Sequence, residues 1–251
     1  MLMHAILSVS ALHLAHLEPS EKSDYYIRAL HHHNIGLQLF NSQITRLSSA
    51  NTYPIFTFSI IVAVWVYGSA TTNDDLMELN DILGLLDVIR GSKAVFDIFK
   101  DDILTQMAGK ILSIPTPSSN IQMLPPAVSQ ALDHVQGQIG DPVHASAVDH
   151  LRRLLTKIEH GDARLAVAWP ALVCDELWNQ IKNHDPTATL IFGYYAILLR
   201  YCDGRHWWIT GWSNRVMRAV EGVLTEPDKA LLVSALDSID ISSRCDRFDD
   251  Q

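Results

Sequence analysis

The sequence predicts an all-α fold: a single helical domain of about nine or ten helices with a proline-rich surface linker in the middle. Three observations predict it. Apolar residues recur at alternating spacings of three and four, which keeps them on one face of a helix. No stretch sustains the strict polar–apolar alternation of a half-buried strand. Several segments open with a capping side chain beside a proline, the arrangement of a helix start. With 251 residues, 48% of them hydrophobic and 19% charged, the chain needs neither disulfides nor metal to hold a core.

The elements follow in order. In the first segment Leu7, Ala11, Leu14 and Leu17 keep helical spacing, and Glu18-Pro19-Ser20 breaks it. In the second, Tyr26, Leu30, His33, Leu37, Phe40, Ile44 and Leu47 share one face of a helix of about 25 residues. Tyr53 to Ala70 is apolar nearly all round and predicts a central helix. Its most apolar part, Pro54 to Tyr67, is 14 residues long. A membrane span needs about 20, so no membrane span is expected. The N-terminus has no Lys or Arg before Lys22 and lacks the basic flank of a secretory signal. Gly91 after Ile89-Arg90 predicts a helix stop.

Ile114 to Pro126 (IPTPSSNIQMLPP) holds four prolines and is the linker. Beyond it, Asp141-Pro142, Asp185-Pro186 and Thr225-Glu226-Pro227 each predict a helix start. Leu190 to Leu199 (LIFGYYAILL) carries no charge and belongs at the centre of its neighbours. The expected domain covers residues 1–240, and residues 241–251 are a polar tail.

Composition excludes function classes. Nineteen basic against 28 acidic residues leave −9, so the chain is not expected to grip nucleic acid by itself. Cys174, Cys202 and Cys245 are scattered and form no C-x-x-C. They read as reduced thiols in a cytoplasmic or nuclear protein. A three-histidine metal site from His13, His16 and His32 is conceivable, but packed, hydrogen-bonded core histidines explain the same residues, and no metal or other cofactor is expected. Asn73-Asp74-Asp75 with Glu78, and Lys100-Asp101-Asp102, read as helix N-termini rather than metal motifs.

No G-x-S-x-G, glycine-rich phosphate loop or P-loop occurs. Asp203-Gly204-Arg205-His206 joins two apolar segments; it reads as a helix–helix turn capped by Gly204, or else supplies Asp203 and His206 as general acid and base. The aromatic residues point to a binding site as an alternative to plain core packing. Tyr194, Tyr195, Trp208 and Trp212, with Phe58 and Trp65 opposite, suit a flat apolar ligand.

Four stretches, in order, resemble the C-terminal regulatory domain of fungal zinc-cluster transcription factors of the sterol uptake control type. They are Met3–Ala15 (MHAILSVSALHLA), Tyr26–Phe40 (YIRALHHHNIGLQLF), Leu85–Val95 (LLDVIRGSKAV) and Leu190–Trp212 (LIFGYYAILLRYCDGRHWWITGW). The resemblance implies an all-α domain that senses a sterol, with Tyr194 to Trp212 as the pocket wall. It also marks a departure, because three scattered cysteines cannot build the family's six-cysteine DNA-binding cluster.

Two functional readings follow. The first is a sterol- or lipid-binding regulatory module without catalysis, its partner an apolar small molecule. The second is a stand-alone enzyme, a cofactor-independent cyclase or isomerase of a terpenoid or polyketide in fungal secondary metabolism. Oligomeric state stays open, a homodimer included.

Overall fold

The structure is a computed structural model that describes residues 1–46, 48, 51–72, 77–91, 93, 124–156, 158 and 163–245. Leu47, the linker up to residue 123, Asn73–Asp75, Lys100–Asp102 and the tail from residue 246 lie outside the described residues. Every described helix or strand is a helix, so the all-α fold class is observed. The described residues form two compact units. One takes in residues 1–72, 84–93 and Trp207–Ile209; the other takes in residues 77–83, 124–206 and 210–245.

In the first unit, helix α1 (Leu2–Leu17) ends at Glu18, whose N–H donates to the Leu14 carbonyl, and Pro19 opens a short 3-10 turn to Glu21. α2 (Lys22–Ile44) then runs back antiparallel, so that Ser8 Oγ donates to the Ala29 carbonyl at 2.9 Å and His4 meets His32. The contact is close because both faces are mostly small: Ala5, Ser8, Ala11 and Ala15 are buried on α1 beside the larger Leu12, and Ala29 and Gly36 on α2. The stripe of Leu7, Ala11, Leu14 and Leu17 keeps its helical period, but its leucines face outward. Leu7, Leu14 and Leu17 are 40%, 41% and 56% exposed, while Ala11 is buried. Small residues won the inner face because they let the two backbones approach.

α3 (Thr52–Thr72) supplies the unit's centre. Phe58, Val62 and Val66 cluster with Ala5, and Leu37, Phe40, Trp65 and Leu85 pack around them. By length and composition α3 is the one described helix that could cross a membrane, but 61% of its apolar window is buried here, as in a core helix. A Cβ at Gly36 would stand 3.0 Å from Phe58 Cε2, so glycine is what lets this ring approach α2. Helix α4 runs over 79–91. Gly91 is itself helical, as is Lys93, and an exposed helical glycine costs only about 1 kcal/mol against alanine.

The second unit is built around α9 (Pro186–Cys202), in which every residue from Ala188 to Leu199 is buried, as its lack of a polar face predicts. α6 (Pro142–Leu155), α7 (Ala163–Leu172), α8 (Asp175–Lys182), α10 (Trp212–Val220) and α11 (Glu226–Cys245) all pack against it, and α5 (Pro126–Gln138) packs on α11. A Cβ at Gly193 would lie 3.0 Å from Leu232 Cδ2, so this glycine sets how closely α11 sits on α9.

The three predicted starts are present. Asp141 accepts from the Val143 N–H at 2.8 Å, Asp185 from the Ala188 N–H at 2.9 Å, and Thr225 from the Asp228 N–H at 3.4 Å. Replacing Asp185 with alanine strands an amide at the mouth of the central helix. Its expected cost is about 1 kcal/mol, read as a lower urea midpoint, with Asp185→Asn close to wild type.

Candidate ligand-binding site

The six aromatic residues expected to line a pocket fall three in each unit. Phe58, Trp65 and Trp208 belong to the first; Tyr194, Tyr195 and Trp212 belong to the second.

In the first unit Phe58 is core, its ring 5.0 Å from that of Phe40. Trp65 stacks on His33 with ring centroids 3.7 Å apart and planes 8° from parallel. Burial in this stack pushes the His33 imidazole down to about 4, so it is neutral at physiological pH. The buried Trp65 Nε1 has no hydrogen-bond partner. Trp208 lies tilted on Tyr67, and its carbonyl accepts from Thr71 Oγ1 at 3.2 Å.

In the second unit Tyr194 and Tyr195 stand together on α9, and Trp212 opens α10; all three are fully buried. Tyr195 stacks on Trp169 at 4.9 Å, while Phe192 meets Trp169 and, edge-on, Trp178. Four buried polar atoms of this unit lack partners: Tyr194 OH, Trp169 Nε1, Thr189 Oγ1 and Ser213 Oγ. Each such group costs about 1–3 kcal/mol relative to a satisfied one. Burial, aided by the nearby Asp228 carboxylate, raises the Tyr194 phenol well above its ordinary range, so it is a neutral O–H, able to donate. Sequence reading found Tyr194 and missed the other three. Thr189 and Ser213 look like ordinary residues near the starts of α9 and α10, and only the packing shows them sealed from water.

Asp203 is occupied structurally. One carboxylate oxygen accepts the Gly211 N–H at 2.7 Å and the other meets Arg200 at 3.3 Å. Gly204 follows at φ +70°, the left-handed conformation that ends α9. The His206 carbonyl accepts from Thr210 Oγ1 at 2.9 Å. The segment is built as a turn, with the Asp203 carboxylate already engaged on both sides.

The histidines disperse. His13 stacks on Trp207 at 4.8 Å and His16 approaches the same ring at 5.6 Å, while His32 meets His4 with their Nδ1 atoms 3.1 Å apart. Among the described residues no three or more histidine, cysteine or acidic side chains are placed to hold a metal ion. An open cleft of about 640 Å³ between α5 and α11 is lined by Pro126, Ser129, Gln130, Asp133, His134 and Leu231. On its wall His134 Nε2 lies 3.3 Å from the buried Asp228 carboxylate, a pairing invisible in sequence because the partners are far apart in the chain.

Residues 1–124, just under half of the chain, match the family model of the fungal specific transcription factor domain. Three of the four resembling stretches, Met3–Ala15, Tyr26–Phe40 and Leu85–Val95, lie inside the match; Leu190–Trp212 lies beyond it. Residues 1–124 are thus similar to a fungal transcription-factor domain, which supports a regulatory role of the transcription-factor kind. No curated protein and no solved structure matches the chain.

Proposed function

We propose that the chain is a regulatory module that binds an apolar small molecule of the sterol or lipid kind in its second unit, along α9. The family match supports the regulatory part of this reading and is consistent with a nuclear or cytoplasmic location. The observation that supports the ligand part is that four buried polar atoms of the second unit, on α7, α9 and α10, have no hydrogen-bond partner. An apolar molecule with one or two hydroxyl or carbonyl groups satisfies such atoms while keeping the surroundings dry. Ligand binding then favours one helix packing over another, which is how an apolar molecule becomes a regulatory signal.

The test is to purify the chain from a fungal host, extract it with solvent and identify what co-purifies by mass spectrometry. A near-stoichiometric sterol or lipid is expected. Tyr194→Phe removes one polar handle, and is expected to release the ligand while leaving the empty protein as stable as before or more so, because a partnerless hydroxyl is gone. If nothing co-purifies and added sterol leaves the melting temperature unchanged, the ligand reading fails.

A further inference from the structure

The outer face of α1 is the most unusual surface of the first unit. Helices of globular proteins hide their large apolar residues and expose polar ones; α1 does the reverse. Its buried side is mostly Ala and Ser, and its outer side carries Met3 at 66% exposure, Ile6 at 51%, and Leu7, Leu14 and Leu17. At 100° per residue these five and Ser10 occupy one arc about 100° wide. Met3, Leu7, Ser10, Leu14 and Leu17 follow one another at spacings of four, three, four and three, the repeat of a seam that packs against another helix.

We propose that this face is a self-association surface, on which α1 of one copy packs against α1 of a second copy about a two-fold axis. Charge favours a second copy. α1 contains no Asp, Glu, Lys or Arg, so two copies meet without like-charge repulsion and leave no buried charge unpaired. A membrane surface fits less well: amphipathic membrane helices carry Lys and Arg beside their apolar face, whereas α1 holds neither and the chain carries −9. Area is sufficient. Half-exposed Leu, Ile and Met side chains offer on the order of 100 Å² each, so two copies bury about 1,000 Å² between them, the lower bound of a specific interface. An interface of that size gives a reversible dimer whose population depends on concentration.

The experiment is sedimentation equilibrium of the full chain over a concentration series, beside the double variant Leu7→Glu, Leu14→Glu. Both substitutions sit at solvent-exposed positions, and circular dichroism with thermal melting shows whether the variant keeps its fold. Wild type is expected to pass from monomer to dimer at roughly micromolar concentration. The variant is expected to stay folded and monomeric over the same range, its dissociation constant raised at least tenfold. Should the variant unfold, Leu17→Lys alone, at the last turn of α1, carries the same test. A wild type that stays monomeric at about 100 µM, or a dimer indifferent to these substitutions, overturns the proposal. Should the monomeric chain instead co-sediment with phosphatidylcholine–phosphatidylserine vesicles, the face belongs to a lipid surface and the proposal is equally overturned.

Discussion

Phe58→Ala is expected to cost about 3–5 kcal/mol of unfolding free energy, the range for removing a buried aromatic ring from a core that cannot fully collapse. Phe58 is 1% exposed, stacks on Phe40 and joins Val62, Val66 and Ala5 in the central cluster of the first unit. The void it leaves borders Gly36, where an added Cβ would stand 3.0 Å from the Phe58 ring. Gly36→Ala alone is therefore expected to destabilise by about 1–3 kcal/mol through overpacking, despite the better helix propensity of alanine. In the Phe58→Ala background the same methyl enters vacated space, and alanine's propensity advantage is realised. The double variant is expected to be more stable than the sum of the two single losses by about 1 kcal/mol or more. Urea denaturation of the four proteins measures this coupling, and strict additivity would mean that α2 and α3 do not meet through this pair.

That coupling shows where sequence reading succeeds and where it stops. The helical period of α1, the apolar character of α3 and α9, and the caps at Asp141, Asp185 and Thr225 were all legible, because each is a local property of spacing or of a side chain beside its own backbone. Which side of α1 faces inward was not. Leu7, Leu14 and Leu17 present the more hydrophobic arc, yet the buried side is Ala5, Ser8, Ala11 and Ala15 with Leu12 as its one large residue, opposite the small Ala29 and Gly36 of α2. Periodicity fixes a face without saying which partner it meets.

The candidate site divides in the same way. Tyr194, Tyr195 and Trp212 were picked out for being large and aromatic among apolar neighbours, and burial places all three in the second unit's core. Trp169, Thr189 and Ser213 were not picked out, because a missing hydrogen-bond partner is a property of the folded surroundings. The Asp203–Gly204 segment gave two readings in sequence. Its carboxylate contacts to Gly211 and Arg200 and the left-handed Gly204 are those of a turn.

The second large effect is expected from acid. His33 is half-buried against Trp65 and holds a pKa of about 4 in the folded protein, against about 6.5 when unfolded, because the stack excludes the water that a charged imidazole needs. The folded state thus binds fewer protons than the unfolded state between these two values. Stability is fully present above pH 6.5, falls as pH drops from 6.5 to 4, and loses nothing further from this group below 4. A shift of this size corresponds to about 3 kcal/mol at full strength, and partial solvent contact at the edge of the stack reduces it to about 2 kcal/mol. His32 adds in the same direction, since desolvation and then the neighbouring His4 and His31 oppose its protonation. His33→Phe keeps an aromatic ring on Trp65 and removes the titration. Carboxylates titrate in both proteins, so the difference between wild type and variant isolates the imidazole. Urea midpoints measured from pH 7.5 to 4 are expected to fall more steeply for wild type, with the gap opening below pH 6.5. Parallel pH curves for the two proteins would mean that His33 accepts its proton in the folded state, and that the stack with Trp65 opens readily enough to let water in.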